Sequence, residues 1–261
     1  MNSLYSNTIK DLSECYNTHA QKFSSTRKKI RPEMKYTLDH IYSLSQEQQR
    51  PLHIVELWCG DWRLLRELQN QYPDVIKSYT GVDISSELLT IANKESSMST
   101  SIQRINDDMI WYLSKQANES IDIIITMASY QHLPDKSTRS EFLQQLYRTL
   151  RYEWKRLSID RSWSQWMLQK HHQPLLQSLK QFIITWGKRE RNNLLIPFRD
   201  QGETHYRLYH IHTINEIQQL TKQYWLQIVE RQYSSQKWDF HQILRRARNI
   251  CLVAKKTIYD S

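Results

Sequence analysis

Short apolar runs rich in β-branched residues alternate with helical stretches along most of this 261-residue chain. Alternation of this kind is typical of βαβ units that build a mostly parallel sheet with helices on its faces. The run 121–127 is apolar throughout, as a strand buried on both faces should be. Helices are predicted over 61–71, from 85, over 138–151 and over 213–224, and strands over 53–57, 78–82, 101–105, 121–127, 155–159, 226–233 and 250–254.

Two segments depart from this alternation. Residues 1–50 are predicted to form a helical N-terminal extension, and residues 51–261 to form the α/β domain. The stretch from about 161 to 204 is polar and basic, and we interpret it as an insertion before the last strands, with order resuming at 205–211. The sequence shows no internal repeat.

Composition narrows the classes of protein. The longest apolar run, 121–128, is far shorter than the roughly 20 residues of a membrane span, and no charged-then-apolar leader is visible, so we expect a cytoplasmic protein without membrane association. The cysteines are odd in number and form no CxxC pair, which argues against disulfides and a cysteine-built zinc site. His210 and His212 would share one strand face, but no carboxylate or cysteine joins them in the sequence, so no metal is expected.

A turn after the first predicted strand is followed by an acidic residue at the end of the second. The turn is Glu56–Arg63, with Gly60 at its centre, and the acid is Asp83. The separation of Gly60 from Asp83 is close to the roughly 20 residues expected for one crossover in sheets that hold adenosyl cofactors. A further acid, Asp107 or Asp108, follows the third strand. We therefore expect a nucleoside cofactor at this edge of the sheet.

The sequence here resembles class I S-adenosylmethionine-dependent methyltransferases, whose motifs are acid-Leu-Gly-Cys-Gly-x-Gly, then Gly-Val-Asp-Ile-Ser, then an Asp. The resemblance implies a Rossmann-like, seven-stranded, mostly parallel sheet. It also implies that S-adenosylmethionine is bound through its amino group by Glu56, its ribose by Asp83 and its adenine by Asp108. The implied cofactor-binding residues are Glu56, Trp58, Cys59, Gly60, Trp62, Asp83, Ile84, Asp108, Met109 and Ala128.

A narrower resemblance is to the tRNA methyltransferases that esterify a carboxymethyl group on the wobble uridine. The segments that carry it are 16–27, 127–133, 196–198 and 206–210. It implies a tRNA anticodon region as the partner, and it leaves open a small activating protein subunit. The same resemblance implies that the residues on the substrate side are Arg27, Arg207, His210 and His132, with Tyr209 beside them.

Two features of the family loop are altered, because tryptophan replaces glycine at 58 and 62. Glycine occurs only 4 times and tryptophan 9 times, where average usage would give about 18 glycines. Trp154 and Trp225 also stand where a turn or a helix end favours glycine. We hypothesise that the native host reads the codon UGA as glycine and that translation with UGA as tryptophan altered these positions. The alternative is an enzyme whose cofactor loop has drifted.

The net charge of +9, from 36 Lys and Arg against 27 Asp and Glu, fits either a solvated surface or attraction to phosphates. Three functions therefore stay open: a tRNA methyltransferase, a methyltransferase of a small metabolite, and a non-catalytic relative that binds RNA or protein. The third is favoured if Trp58 and Trp62 are genuine.

Overall fold

The computed structural model describes residues 3–27, 29–95, 101–152, 155–161, 190, 192–200, 203–234, 240–241 and 249–257. None of the helices in these ranges is both long enough and apolar enough to cross a membrane.

Helices and strands follow the predicted alternation. The helices are α1 Ser3–Thr18, α2 Ala20–Ser25, α3 Pro32–Gln48, α4 Arg63–Gln71, α5 Ser86–Glu95, α6 Met109–Ser114, α7 Lys136–Thr149 and α8 Ile214–Gln223. The strands are β1 Leu52–Leu57, β2 Ile76–Asp83, β3 Ile102–Asn106, β4 Ile123–Met127, β5 Lys155–Arg161, β6 Asn193–Asp200, β7 Glu203–His210, β8 Leu226–Ser234, β9 Phe240–His241 and β10 Asn249–Lys256. Short 3₁₀ turns occur at Pro73–Val75 and Tyr130–His132.

The main sheet has the strand order β3-β2-β1-β4-β5-β10-β8-β9 among the described residues. Strands β1 to β5 are parallel, and β10 runs antiparallel between β5 and β8. The Rossmann-like fold is confirmed, whereas the predicted count of seven strands is not, because the two-residue strand β9 adds an eighth. The strand order reverses between β1 and β4, and open sheets bind ligands beyond the carboxyl ends of the strands at such a point.

The centre of the core is the run of isoleucines in β4. Ile123, Ile124 and Ile125 are completely buried, so the strand has apolar contacts on both faces of the sheet. Leu64, Leu65 and Leu68 of α4 cover the same core. The core therefore holds β1 and β4 side by side, and their carboxyl ends define the edge where a cofactor was expected.

The N-terminal helices pack onto that edge. Ser13 of α1 donates to the carbonyl oxygen of Ile84 at 3.0 Å, and Asn17 accepts a hydrogen bond from the Ser85 hydroxyl at 2.8 Å. Farther along the strand order, at β10, the side-chain amide of Asn249 donates a hydrogen bond to the buried carboxylate of Glu33 in α3 at 2.6 Å. The helices predicted for residues 1–50 are thus observed, and they cover the carboxyl edge of the strands. The domain boundary at residue 50 stays a prediction.

Two elements of the structure correct the predictions made from the sequence. Residues 193–200, placed in the insertion, form strand β6, which pairs with β7 in a separate two-stranded antiparallel sheet. The centre of this strand, 194–198, is apolar, with Leu194 and Ile196 buried, so the polar character of the longer stretch 161–204 concealed a strand that pairs with β7. Helix α6 was also missed, because it is only six residues long and its start signal is the Asp108 cap. Most of the rest of the proposed insertion lies outside the described residues.

A buried carboxylate lies at the opposite, amino-terminal edge of the sheet and connects several segments there. Asp122 is completely buried, and it accepts hydrogen bonds from Arg50 at 3.0 and 3.1 Å, from Arg151 at 2.6 Å and from the backbone of His53 at 2.8 Å. Burial alone would raise the pKa of Asp122, but these bonds outweigh burial and lower the pKa below its usual value.

We expect the Asp122→Asn substitution to reduce the free energy of unfolding by about 2–3 kcal/mol. This is less than the roughly 3–5 kcal/mol lost from a fully buried pair, because both guanidiniums are about a third exposed. Because the folded pKa is lowered, the contribution of Asp122 is present above about pH 4 and is lost as the pH falls through the folded pKa. Urea unfolding between pH 3 and pH 7 measures both effects.

The matched control is Asp74→Asn, which changes an exposed carboxylate at the start of a 3₁₀ turn. It should leave the unfolding midpoint unchanged. Equal stabilities of the two variants at neutral pH would show that the Asp122 network does not stabilise the fold.

Candidate active site

The turn between β1 and α4 is built from left-handed backbone conformations. φ is 59° at Trp58, 61° at Gly60 and 62° at Trp62. The backbone N–H of Cys59 donates to the carbonyl oxygen of Val82 at 3.1 Å, and the N–H of Gly60 donates to Asp83 Oδ2 at 2.7 Å. The turn after the first strand and the acid at the end of the second, paired from sequence, are therefore in direct contact.

A cavity of about 140 Å³ opens beside this turn, at the carboxyl ends of β1 and β4. Most of the residues that the family resemblance marks for cofactor or substrate line it, together with residues of α1, α2 and β7. The lining includes Tyr16, Phe23, Arg27, Glu56, Trp58, Cys59, Gly60, Asp61, Asp83, Ile84, Met127, Ala128, Arg207 and Tyr209. The topological switch point thus coincides with the predicted site.

Of the buried carboxyl groups that line the cavity, Glu56 and Asp83 are the two that the family resemblance assigns to the cofactor. The backbone N–H groups of Gly60 and Ser85 donate to the two oxygens of Asp83 at 2.7 and 2.8 Å, and burial raises the pKa of Asp83 to about 6. Glu56 accepts a hydrogen bond from the hydroxyl of Tyr79, and burial raises its pKa to about 8. A cationic ligand group next to Glu56 would favour the ionised form.

Four arginines line the same cavity, and two of them, Arg27 and Arg207, are residues of the predicted substrate side. Arg27 stacks over the ring of Phe23 at 3.5 Å and donates to the carbonyl oxygen of Phe23 at 3.0 Å, and burial lowers its pKa to about 10. Arg207 is 8% exposed and lies over the rings of Phe198 and Tyr209 at 4.8 and 5.3 Å. Neither forms an ion pair with a described carboxylate, and Arg207 Nε is buried with no partner among the described residues.

His132 lies behind the cavity wall. Its Nδ1 donates to the carbonyl oxygen of Leu208 at 2.7 Å, so Nε2, which is 3.4 Å from the hydroxyl of Tyr16, is the acceptor in the neutral ring. The indole of Trp58 lies against His132, with the ring centroids 5.2 Å apart. Trp58 therefore stands between His132 and the cavity.

Besides His132, four further sequence-predicted site residues do not line the cavity. Asp108 caps α6 by accepting from the N–H groups of Ile110 and Trp111, and its other oxygen accepts from Tyr5, so the structure uses it as a helix cap. Met109 and Trp62 are completely buried, Trp62 against the second strand. The fourth, His210, is completely enclosed elsewhere, as described next.

His210 belongs to a polar cluster between β7 and α8. Its ring nitrogens bond Asn193 at 2.8 Å and Glu216 at 2.9 Å, and the buried Arg139 forms ion pairs with Glu216 at 3.0 Å and Glu190 at 2.6 Å. His210, His212 and Glu216 have the spacing of a metal site, and Glu216 is the carboxylate that the sequence pattern did not supply. Because the Arg139 guanidinium already neutralises Glu216, the cluster fits a structural ion-pair network.

Sequence reasoning missed several cavity residues as site members. Tyr16 and Phe23 were present only as letters of a family segment, although both line the cavity. The carboxylate of Asp61, within the turn 56–63, accepts a hydrogen bond from the Ser24 hydroxyl at 2.7 Å and so connects the turn to α2. The signal available was the N-terminal segment itself, in which Tyr16 and Phe23 line the cavity and Ser24 donates to Asp61.

Residues 54–153 match a family model described as a methyltransferase domain. No curated protein matches the chain. Among solved structures, the chain is similar to an S-adenosylmethionine-dependent methyltransferase of Methanosarcina mazei, with 18% identity, a TM-score of 0.61 and coverage of 80% of this chain and 94% of that one. The chain contains a class I methyltransferase domain.

Two further structures have S-adenosylhomocysteine bound. The 1,6-didemethyltoxoflavin-N1-methyltransferase of Burkholderia thailandensis is 12% identical, with a TM-score of 0.61 and coverage of 99% of this chain and 92% of that one. The magnesium protoporphyrin IX methyltransferase of Synechocystis is 13% identical, with a TM-score of 0.60 and coverage of 94% and 98%. The enzyme class and the cofactor of the methyltransferase domain, S-adenosylmethionine, are confirmed, and the tRNA family stays a prediction.

The residues at the methyltransferase cavity fit S-adenosylmethionine only in part. Each Asp83 oxygen accepts one backbone N–H and retains lone pairs for ribose hydroxyls, and Glu56 can accept from an amino group. Trp58, by contrast, places an indole at the cavity with its Nε1 buried and without a partner among the described residues. An unpaired buried donor costs about 1–3 kcal/mol. The acidic groups fit the cofactor, and this indole does not.

We expect Asp83→Asn to weaken S-adenosylmethionine binding by about 10- to 100-fold, because hydrogen bonds to a charged acceptor contribute about 1.5–3 kcal/mol each. The measurement is calorimetric titration in the Trp58→Gly/Trp62→Gly background, which removes the misfitting indole of Trp58 and restores glycine at both family positions.

Asp107→Asn is the control, because Asp107 also follows a strand at this edge but pairs with Lys115 outside the cavity. It should leave affinity unchanged. Equal affinities of the Asp83 and Asp107 variants would contradict the ribose role.

Proposed function

We propose that this methyltransferase transfers the methyl group of S-adenosylmethionine to the carboxylate of a 5-carboxymethyl uridine at the wobble position of tRNA. The observation that carries the proposal is the pair of cavity-lining guanidiniums, Arg27 and Arg207, that have no described carboxylate partner. Because buried charges are costly unless they are paired, such a pair is suited to an anionic acceptor group.

When bound, S-adenosylmethionine supplies an electrophilic methyl group on a sulfonium sulfur. A carboxylate acceptor has an ordinary pKa near 4 and is already ionised at neutral pH, so the protein need not supply a general base. Arg27 and Arg207 would orient that carboxylate, while Tyr16, Phe23 and Tyr209 would exclude water around it. Both guanidiniums lie over aromatic rings, and these cation–π contacts reduce how strongly the guanidiniums bind the nucleophilic carboxylate.

Two features support tRNA as the carrier of this carboxylate. The chain has a net charge of +9, which favours a polyanion. The segments that resemble the tRNA family, 16–27 and 206–210, contribute Tyr16, Arg27, Arg207 and Tyr209 to one cavity.

A small metabolite is the second candidate acceptor. It is favoured by the N-terminal helices, which cover the cavity edge, and by the small-molecule and porphyrin acceptors named for two similar structures. Salt separates the candidates, because binding of a polyanion releases counterions and weakens steeply as salt is raised.

We expect Arg27→Gln to lower kcat/KM on tRNA that carries 5-carboxymethyluridine by about 100-fold, the usual loss on removing one positioned charged donor. Affinity for S-adenosylmethionine should be unchanged. The readout is the methyl ester in digested nucleosides by mass spectrometry, with release of methanol in mild alkali. The assay uses protein carrying glycine at 58 and 62.

The control is Lys35→Gln, which removes an exposed cation of α3 that pairs with Asp39 away from the cavity. It should retain full activity. A loss of cofactor affinity in Arg27→Gln would move Arg27 out of the substrate group, and methylation of a free carboxylate with no response to tRNA would refute the tRNA substrate.

A further inference from the structure

The described part of the chain contains four tryptophans, and three of them have a left-handed backbone. φ is 59° at Trp58, 62° at Trp62 and 49° at Trp225, while Trp111 lies within α6. Bulky residues are outliers in this region, because Cβ approaches the following carbonyl oxygen. Glycine has no Cβ and occupies it freely.

Each of the three positions is one where the chain geometry demands this conformation. Trp58 and Trp62 flank Gly60, whose own φ is 61°, in the turn that reaches Asp83. Trp225 directly follows the cap of α8, and its N–H donates to the carbonyl oxygen of Lys222 at 3.1 Å, which is how a helix ends in a left-handed residue. Two unrelated structural settings therefore show the same departure.

The two indoles of the turn fill space on its two sides, Trp58 at the cavity and Trp62 against the second strand. Trp62 is completely buried, and its Nε1 lies where a Cβ on Gly81 would be only 2.3 Å away. Trp58 covers His132 and leaves its own Nε1 without a partner among the described residues. With glycine at position 58, this indole would no longer cover the ring of His132.

We propose that positions 58, 62 and 225 are glycine in the protein that the native host makes, because the host reads UGA as glycine. One change of decoding then explains all three left-handed tryptophans and the count of 4 glycines beside 9 tryptophans. Random drift would not concentrate the largest side chain at positions of positive φ. Trp154 falls outside the described residues and is not part of this inference.

This assignment completes the cofactor site, so it deepens the proposed function on the cofactor side. It rests on backbone conformation and not on the identity of the acceptor. It can therefore fail while the tRNA assignment stands, and the reverse also holds.

The direct test is to read the codons at positions 58, 62 and 225 and to determine the masses of the corresponding peptides from protein made by the native host. We expect UGA at all three positions and peptides with the residue mass of glycine. UGG at 58 and 62, or peptides with the residue mass of tryptophan, would overturn the proposal.

A second test examines the conformational premise in recombinant protein. Glycine and alanine are each placed at 225 and at 111, two tryptophans that are 42% and 53% exposed, and thermal unfolding is compared. At 225, glycine should unfold about 2–4 °C above alanine, whereas at 111, inside a helix, alanine should unfold above glycine. Alanine unfolding above glycine at both positions would overturn the assignment at 225.

Discussion

The hydrogen bond from the backbone N–H of Gly60 to the carboxylate of Asp83 is the contact on which the site depends. It joins the turn after β1 to the end of β2, and a second bond from Ser85 fixes the other oxygen. Parallel pairing of Leu57 with Val82 brings these two strand ends together. The turn can reach the acid only through left-handed backbone, which is why the identity of the residues at 58, 60 and 62 matters so much.

Electrostatics divide the cavity between two kinds of group. The carboxyl groups of Glu56 and Asp83 have raised pKa values because they are buried, and an ammonium group beside them would favour their ionised form. The guanidiniums of Arg27 and Arg207 are held over aromatic rings and have no described carboxylate partner. A site with this division can hold a cationic cofactor and an anionic acceptor at the same time.

Sequence patterns predicted the first half of the fold well, because its signals are local. The apolar runs at 53–57 and 121–127 and the acid at 83 each specify their own place in a parallel sheet, and the family motif placed most cavity residues. The patterns missed what long-range pairing decides. His210, for example, is drawn into the network of Arg139 and Glu216. Strand β6 was missed for a different reason, because its apolar centre lies within a stretch whose overall polarity indicated an insertion, although it pairs locally with β7.

The roles of Asp108 and Trp58 illustrate the same limit. Asp108 follows the third strand as the motif requires, but Tyr5 from α1 and the N-terminus of α6 take up its oxygens. Trp58 occupies a family glycine position, and only the backbone angle shows that the turn kept the geometry of glycine. Motif spacing places a residue at an edge, whereas contacts determine what it can bind.

The most direct measurement of the central claim is calorimetric titration of S-adenosylmethionine into two variants that both carry glycine at 62. One variant has glycine at 58 and the other has alanine, so both lack the indole and differ only by a Cβ on left-handed backbone. We expect measurable binding with glycine and binding at least several-fold weaker with alanine, since the Cβ strains the turn. Failure of the glycine variant to bind the cofactor would contradict the account.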